Sequence, residues 1–448
     1  MDMTRRSLLQ LMLAAGVQTL GVQSFAGCST LDTNADATSD RPAIPESRVV
    51  RGRLTVTGLH TPPGVVDLPY VYHRRGSGPR PTLFFLGGGP GVSNLKFEPP
   101  EQWLQEFDVV VLEYRGVGQS SIVLSSPHFA RALRRPVEGL SLRAAAGMQD
   151  DFRAAFADLK SQGVSFEEFS AGEIAEDIER LRQQLGLDQI YLVAHSFGTR
   201  VALLYQTRYR DRTAGSVLFS MNTPGGFLWY PADTQSVWTR YRDSLRGTRP
   251  EQYEQLDRLL RTASGRPDRY GPFKLNDSKA LVVAFFLSFN AATRDTAFKA
   301  MASAESGSAG NWYLFSLAYD WVIRFSFNWA DFFVKAYTAD CDRAAVELVD
   351  QQGRGALFGS PSAVLFSATE AFKSAGGVCR PDHFEPDYRR TLAIVGEFDP
   401  STPIERKPHA LPDERFVVLK GAGHADVLYA NPGAAATWLT RFFLSPDA

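Results

Sequence analysis

Six short runs of consecutive apolar residues constrain the fold of this chain more than any other feature. They are Leu83–Leu86, Val109–Leu112, Ile190–Val193, Val217–Phe219, Leu392–Val395 and Phe416–Leu419. Because apolar residues are continuous in each run, rather than alternating with polar ones, both faces of each strand should be buried. The runs therefore predict a mostly parallel central sheet that is covered on both faces.

Helical patterns lie between several of these runs. The clearest spans Ser170 to Leu185, with apolar residues at steps of 4, 3 and 4, namely Ile174, Ile178, Leu181 and Leu185. Ser170 and Glu173 are spaced as a capping box, and Gly186 follows as a stop signal. Strands that alternate with helices in this way predict an α/β fold whose central sheet is flanked by helices.

The alternation is lost between Thr223 and about Pro386. Within this part, the segment 312–337 is rich in aromatic residues, and charged residues interrupt it at Asp320, Arg324 and Asp331, so it is not a membrane span. We interpret 224–386 as a mainly helical cap inserted before the last strands. The core is then formed by 48–223 and 387–448.

The first 28 residues differ in character from the rest. A basic start that contains Arg5 and Arg6 precedes a mildly apolar stretch, as in a twin-arginine export signal, and Phe25–Cys28 resembles a lipobox. The alternative is an N-terminal helix packed on the domain. With Cys28 as the lipid attachment site and 29–47 as a flexible tether, we expect an exported periplasmic or cell-envelope lipoprotein, associated with the membrane only through its lipid anchor.

The remaining cysteines and the charge balance bear on disulfide formation and on the type of partner. Cys341 and Cys379 can form a disulfide in an oxidising compartment, and the alternative is two buried free thiols. The formal net charge is −1, without a long basic block. Because phosphate binding needs clustered Lys and Arg, no nucleic-acid partner is expected.

The stretch VAHSFGTR places Ser196 between a predicted strand, Gln189–Ala194, and a predicted helix that begins at Phe197 and ends near Arg208. A sharp turn of this kind exposes a nucleophilic serine and needs small residues two positions before and after it. Gly198 and Ala194 fill these positions. The stretch predicts Ser196 as a nucleophile.

A serine nucleophile needs a base, and the base needs an acid that holds its tautomer. Asp399 and His424 each follow a predicted strand, and the order Ser, Asp, His is that of this kind of fold. Glu397 is a weaker rival acid. The other histidines lack this setting, and the turn should point the ring of His195 away; they are His60, His73, His128, His195, His383 and His409.

The glycine-rich segment Leu86–Gly91 follows the first apolar run. Its backbone N–H groups at Gly88 and Gly89, together with that of Phe197, are predicted to form an oxyanion hole. The rival interpretation, a phosphate loop, is disfavoured because no Gly-Lys-Ser/Thr follows. The chemistry of such a site requires neither a metal nor an organic cofactor.

Two segments carry a family resemblance. Gly87–Gly91 resembles the HGGPG loop of the prolyl aminopeptidase (proline iminopeptidase) family of α/β-hydrolases, and Glu113–Ser120 resembles that family's D-x-R-G-x-G-x-S segment. The segments 163–200 and 396–403, with Gly423 and His424, are most similar to its tripeptidyl aminopeptidase branch. The resemblance implies an α/β-hydrolase fold and a serine aminopeptidase that releases residues from peptide N-termini.

The chain departs from the family pattern at three positions. Gly87 stands where the family usually has His, Glu113 where it has Asp, and Ala194 where it has Gly. None of these removes a reacting group, so they bear on the substrate more than on hydrolysis. An esterase or amidase with the same triad is the alternative, and a lipid-tethered binding protein without turnover is a third. The substrate is therefore expected to be a small peptide, ester or amide.

The family usually recognises the free amino terminus of its substrate with acidic residues of the cap. Acidic residues that could serve in this chain are Asp320, Asp331, Asp340 and Glu370.

Overall fold

The computed structural model describes residues 47–76, 78–262, 269–378, 384–430 and 432–444. The predicted signal peptide with Cys28 and all but the last residue of the predicted tether lie outside these residues, and so does Cys379. Among the described residues, no helix combines the length and the apolar character needed to cross a bilayer.

An eight-stranded sheet forms the centre of the molecule, in the order β1-β2-β4-β3-β5-β6-β9-β10. Its strands are β1 (Ser47–Thr57), β2 (Val65–Arg75), β3 (Thr82–Leu86), β4 (Asp108–Leu112), β5 (Ile190–His195), β6 (Thr213–Phe219), β9 (Thr391–Gly396) and β10 (Phe416–Leu419). The strands from β4 to β10 in this order pair in parallel, whereas β1 and β2 pair antiparallel. The predicted mostly parallel sheet is confirmed, and each of the six apolar runs is one of its strands.

The strands β1 and β2 were not predicted. In β2, the side chains of Val66, Leu68 and Tyr70 are buried while those between them are partly exposed. One face of this pair therefore remains near solvent, which gives an alternating rather than a continuous apolar pattern. That alternation was the signal that could have revealed them.

Helices flank the sheet and connect its strands. They are α1 (Glu101–Glu106), α2 (Pro127–Arg134), α3 (Gln149–Ser161), α4 (Ala171–Gln184), α5 (Phe197–Arg208), α6 (Pro231–Leu245), α7 (Pro250–Thr262), α8 (Asp277–Leu287), α9 (Ala291–Glu305), α10 (Gly310–Phe325), α11 (Trp329–Ala339), α12 (Arg343–Gln352), α13 (Pro361–Leu365), α14 (Thr369–Ser374), α15 (Asp426–Tyr429) and α16 (Pro432–Leu444). Between β6 and β9, the described chain is helical apart from irregular connections and a short hairpin of β7 (Arg269–Tyr270) and β8 (Phe273–Lys274).

Helix α4 is the helix predicted from the apolar steps. The Ser170 hydroxyl accepts a hydrogen bond from the N–H of Glu173 at 3.3 Å, which is one half of the predicted capping box. The other half is not formed: the N–H of Ser170 donates to the carbonyl of Glu167 at 3.2 Å, and the Glu173 carboxylate lies 3.4 Å from the guanidinium of Arg115. Gly186, with φ of +66°, ends the helix as expected.

Side chains of the central strands enter two separate hydrophobic cores. Leu83 and Phe85 of β3 pack in the smaller core with α1, α15 and α16, whereas Phe84 and Leu86 pack in the larger core with α5 and helices of the segment between β6 and β9. Successive residues of a strand point to opposite faces, so a strand that is covered on both sides must be apolar at every position. Burial on both faces therefore explains why the apolar runs of the central strands are continuous.

Buried ion pairing joins the helices that follow β6 to the core. The guanidinium of Arg200, on α5, contacts the carboxylate of Asp340 at 2.9 Å, and both side chains are buried. The same carboxylate accepts hydrogen bonds from the N–H groups of Gly225 and Phe227. Next to it, Cys341 is buried and disulfide-bonded; its predicted partner, Cys379, lies outside the described residues.

Candidate active site

Ser196 lies at the turn between β5 and α5. Its backbone has φ of 53° and ψ of −121°, a conformation that residues other than glycine rarely adopt and that costs free energy. A Cβ atom on Gly198 would lie 2.1 Å from the carbonyl oxygen of Leu86, so only glycine fits there. Ala194 pairs with Leu86 and is fully buried, which shows that this position accommodates a methyl group. The local sequence thus produces a strained, close-packed turn with the serine at its apex.

Ser196, His424 and Asp399 form a continuous hydrogen-bonded chain. The Ser196 hydroxyl lies 2.9 Å from Nε2 of His424, and Nδ1 of His424 lies 2.9 and 3.0 Å from the two carboxylate oxygens of Asp399. Since a carboxylate only accepts, Nδ1–H donates to it and Nε2 is left to accept the serine proton. The three residues follow β5, β9 and β10, whose carboxyl ends meet at one edge of the sheet.

Four groups besides His424 surround the Asp399 carboxylate. The N–H groups of Ser401 and Thr402 donate to one oxygen at 2.8 and 2.9 Å, and the hydroxyls of Thr402 and Ser220 donate to the other at 2.6 and 2.9 Å. Burial raises the pKa of Asp399, but the interactions with His424 and Thr402 outweigh burial and lower the pKa to about 2. Asp399 is therefore a carboxylate at neutral pH.

Sequence reasoning missed Ser220. It directly follows β6 and has φ of 51°. Among the described residues, the other positive φ angles belong to Ser196 and to glycines. Its hydroxyl lies 2.9 Å from the carboxylate of Asp399 and 2.8 Å from the carbonyl oxygen of His424. A polar residue at the end of a buried strand, at the same edge of the sheet, was the signal available.

The glycine loop lies against the serine. A Cβ atom on Gly88 would be 3.1 Å from Cβ of Ser196, and Gly89 follows with φ of +127°. Phe197 is the first residue of α5, where backbone N–H groups lack partners within the helix. The structure thus brings Gly88 and Phe197, two of the three predicted oxyanion residues, next to Ser196, and Gly89 and Ser196 line one cavity, described below.

A sequence model of the alpha/beta hydrolase fold family matches residues 81–430. The chain belongs to this family. It is 27% identical to a proline iminopeptidase of Lactobacillus delbrueckii subsp. lactis over 152 aligned residues. The aligned part covers 34% of this chain and 39% of the relative. The chain thus spans about two fifths of that relative's length.

Two solved structures are also similar to this α/β hydrolase. A proline iminopeptidase-related protein from Thermus thermophilus is 18% identical, with a TM-score of 0.38, covering 89% of this chain and 98% of the other. An esterase from Thermogutta terrifontis is also 18% identical, with a TM-score of 0.33, covering 88% and 99%.

The ring of His195 lies beside that of His424 in the hydrolase, with 5.0 Å between the two ring centroids. Its Nε2 lies 3.0 Å from the carbonyl oxygen of His424, so Nε2 carries a proton and donates it. Burial, and to a lesser extent the neighbouring His424, lower the pKa of His195 to about 3, so the ring is neutral.

The burial of neutral His195 predicts a loss of stability in acid. Between its ordinary pKa of about 6.5 and its folded pKa of about 3, the unfolded chain binds a proton that the folded chain does not, so the free energy of unfolding falls as pH falls. We expect urea denaturation at about pH 7 and about pH 4.5 to show this loss, and His195→Gln to make it smaller. His409→Gln serves as control, because His409 is exposed. If the free energy of unfolding fell by the same amount between the two pH values in both variants, His195 would not be the group responsible.

The hydrolase has glycine at position 87 for a physical reason. The N–H of Gly87 donates to Oδ1 of Asn94 at 2.8 Å, and a Cβ atom on Gly87 would lie only 2.6 Å from that oxygen. Nδ2 of Asn94 donates to the carbonyl groups of Phe85 and Leu112. Asn94 thus occupies the space that a histidine at position 87 would need.

Glu113 stabilises the same loop from the end of β4. Its carboxylate accepts hydrogen bonds from the hydroxyl of Ser93 at 2.6 Å and from the N–H groups of Asn94 and Gln119 at 2.9 and 3.0 Å. The side chain is fully buried. The glutamate therefore joins the loop after β3, at Ser93 and Asn94, to the loop after β4, at Gln119.

Helix α11 contacts the far end of the glycine loop. The carboxylate of Asp331 accepts a hydrogen bond from the N–H of Gly91 at 3.0 Å, and the N–H of Asn328 donates to the carbonyl of Gly91 at 2.8 Å. Lys335 donates to Asp331 at 2.5 Å and to the carbonyl of Arg115 at 2.8 Å. Asp331 and Lys335 are fully buried. The segment between β6 and β9 therefore helps to position the loop beside Ser196.

An open cavity leads to Ser196 and His424. Its walls are mostly apolar and come from Phe85, Val92, Phe97, Leu133, Val137, Leu140, Met148, Trp229, Val282, Phe286, Phe289, Ile323, Phe327, Trp329, Phe332, Pro361, Val364 and Leu365. The charged lining residues in the described ranges are Lys96, Arg135 and Lys279, and none is Asp or Glu. The described residues also contain no cluster of His, Cys, Asp or Glu able to hold a metal ion.

The four acidic residues considered for recognition of an amino terminus do not line this cavity. Each pairs with a cation instead: Asp320 with Lys279, which itself lines the cavity, Asp331 with Lys335, Asp340 with Arg200 and Glu370 with Lys373.

Proposed function

We propose that this α/β hydrolase is a serine hydrolase that cleaves carboxylic esters or amides through an acyl-enzyme. The observation that supports the proposal most is the hydrogen-bonded chain from Ser196 through His424 to the buried Asp399, adjacent to the glycine loop. A nucleophile, a base and a group that orients the base are the minimum set for this chemistry.

In the first step, Oγ of Ser196 attacks the scissile carbonyl carbon while Nε2 of His424 takes its proton. Asp399 holds the imidazole in the required tautomer and stabilises the imidazolium that forms. The N–H groups of Phe197 and of Gly88 or Gly89 stabilise the tetrahedral oxyanion; one such donor contributes about 10²- to 10³-fold to kcat in comparable sites.

His424 then transfers its proton to the departing oxygen or nitrogen, and the carbonyl–leaving-group bond breaks. Water enters, gives a proton to His424 and attacks the acyl-serine, after which Ser196 recovers its proton and the carboxylic acid leaves. His195 donates to the backbone carbonyl of His424, and Ser220 donates either to that carbonyl or to the carboxylate of Asp399. Both residues therefore help to hold His424 in position.

Two substrate types compete within this proposal. The largely apolar cavity without a carboxylate among its described lining residues favours esters or amides that carry no free amino group near the scissile bond. The partial similarity to a proline iminopeptidase favours the second candidate, an aminopeptidase that acts at peptide N-termini.

The direct test is labelling by a fluorophosphonate probe, which reacts only with an activated serine. We expect the native protein to bind one equivalent at Ser196, and Ser196→Ala to bind none. Native protein that does not label would instead support a binding protein without turnover, and labelling that survives in Ser196→Ala would place the nucleophile elsewhere.

We further propose that the protein is exported and anchored through lipid on Cys28, as its first 28 residues suggest. Cys28→Ala should still be exported but should lose its lipid. Fractionation and intact-mass measurement would show this, with Cys341→Ala as a control that keeps the lipid. Native protein that keeps an unmodified Cys28 would contradict the proposed anchor.

A further inference from the structure

We infer that the cavity selects substrates whose acyl group is large, apolar and without a positive charge next to the scissile carbonyl. The inference rests on the proposed function, because it concerns the group that Ser196 would acylate. It names a class of substrate, hydrophobic carboxylic esters or amides, that differs from peptides with a free amino terminus.

The first argument is that aromatic walls reach the reacting atoms. The ring of Phe289 lies 5.2 Å from the ring of His424, between centroids. Trp229 packs against Phe289 at 6.1 Å and against Phe286 at 5.8 Å, and its indole N–H donates to the hydroxyl of Ser401 at 3.0 Å. The wall beside the catalytic base is therefore apolar and fixed by its own contacts.

The apolar surface continues away from the base along the helices that cover the sheet edge. Val282 and Phe286 of α8, Ile323 of α10, and Trp329 and Phe332 of α11 all line the same space. Because its lining extends from Ser196 to residues of three different helices, the cavity reaches further than a small acyl group such as acetyl. Each methylene that enters such a space from water gains about 0.8 kcal/mol.

The second argument concerns charge. An α-ammonium group adjacent to the scissile carbonyl would lie within the first few ångströms of Ser196, where the described lining residues offer no carboxylate. Removal of an ammonium ion from water without a paired anion costs several kcal/mol. Peptide substrates with a free amino terminus would therefore bind poorly in the productive position.

The charged residues of the lining are all cationic, which reinforces this effect. Arg135 is paired with Asp151, and Lys279 is paired with Asp320. Lys96 is exposed and has no ion-pair partner among the described residues, so it adds an unpaired positive charge to the lining. Its field opposes entry of a cationic substrate.

The test compares two sets of esters of one alcohol on the full-length protein. In the first set, butanoyl, hexanoyl and octanoyl groups are compared, and kcat/KM should rise about fourfold per methylene until the cavity is filled. In the second, hexanoyl is compared with 2-aminohexanoyl at about pH 6, where an α-amino group of ordinary pKa about 7.7–8.0 is protonated. We expect hexanoyl to be preferred by about 100-fold or more.

A variant that adds a carboxylate to the wall gives an independent measurement. Phe289→Asp should narrow the preference for hexanoyl over 2-aminohexanoyl by at least about tenfold, because position 289 lies beside His424 and the new carboxylate can pair with the ammonium. Leu348→Asp, on the exposed face of α12 and outside the cavity, should leave the preference unchanged. The fluorophosphonate labelling rate confirms that each variant has an intact site.

The possible failures are distinguishable. Fluorophosphonate labelling together with equal or faster hydrolysis of 2-aminohexanoyl would overturn the inference and favour the aminopeptidase, while the serine hydrolase mechanism would stand. Labelling with no dependence on chain length would also overturn it. Absence of both labelling and ester hydrolysis would refute the proposed function, and the inference with it.

Discussion

Replacement of Ser196 with alanine should lower kcat by about 10⁴- to 10⁶-fold on any substrate, with little change in KM. The alanine keeps the backbone of the turn and removes only the oxygen that lies 2.9 Å from Nε2 of His424. The small remaining rate would come from the oxyanion donors and from substrate binding. Single-turnover and steady-state kinetics with an aryl ester would measure the loss.

Ser161→Ala is the matched control for this variant. Ser161 is the exposed last residue of α3, and its hydroxyl donates only to the carbonyl of Asp158 among the described residues. It should keep the full rate. A Ser196→Ala protein that folds and retains more than about one hundredth of the native rate would show that another group is the nucleophile.

Replacement of Asp399 with asparagine should lower kcat by about 10⁴-fold. The amide has about the same size, but its NH₂ group cannot accept Nδ1–H of His424, so the imidazole is left in the wrong tautomer. Glu397→Gln is the control, because Glu397 is two residues away and its carboxylate pairs with Lys420 instead. If Glu397→Gln caused the larger loss, the acid would be misassigned.

Asp399→Asn should also change how the stability of the protein depends on pH. The folded pKa of Asp399 is about 2, below its ordinary value of 3.8, so the carboxylate contributes stability above about pH 3.8 that is lost as pH falls through about 2. The contribution is about 2 kcal/mol at neutral pH. Asp399→Asn should therefore be less stable than the native protein near neutral pH and should lose less stability between about pH 4 and pH 2.

The sequence predicts the central sheet well because burial on both faces leaves a continuous apolar record in each strand. It predicts Ser196, Asp399 and His424 as neighbours because each follows such a strand, and parallel strands bring their carboxyl ends to one edge. By contrast, β1 and β2 have one face near solvent, so their buried residues alternate with exposed ones and form no continuous apolar run.

The residues that the sequence did not reveal act through contacts across long stretches of chain. Ser220 reaches Asp399 across 179 residues, and Asp331 reaches Gly91 across 240. No local spacing encodes such pairs. The hydrogen bond of His195 is equally distant along the chain, since its partner is a carbonyl 229 residues further on.

The contact between α11 and the glycine loop limits how new activities could arise on this scaffold. A wholesale exchange of the segment between β6 and β9 would bring in different walls for the substrate, but it would also remove the carboxylate of Asp331 from the N–H of Gly91. Selectivity and rate could then not be altered separately. Single substitutions on α8, at Val282 or Phe286, avoid this coupling. Directed evolution for new substrates should therefore accumulate changes on α8 and preserve Asp331 and Lys335.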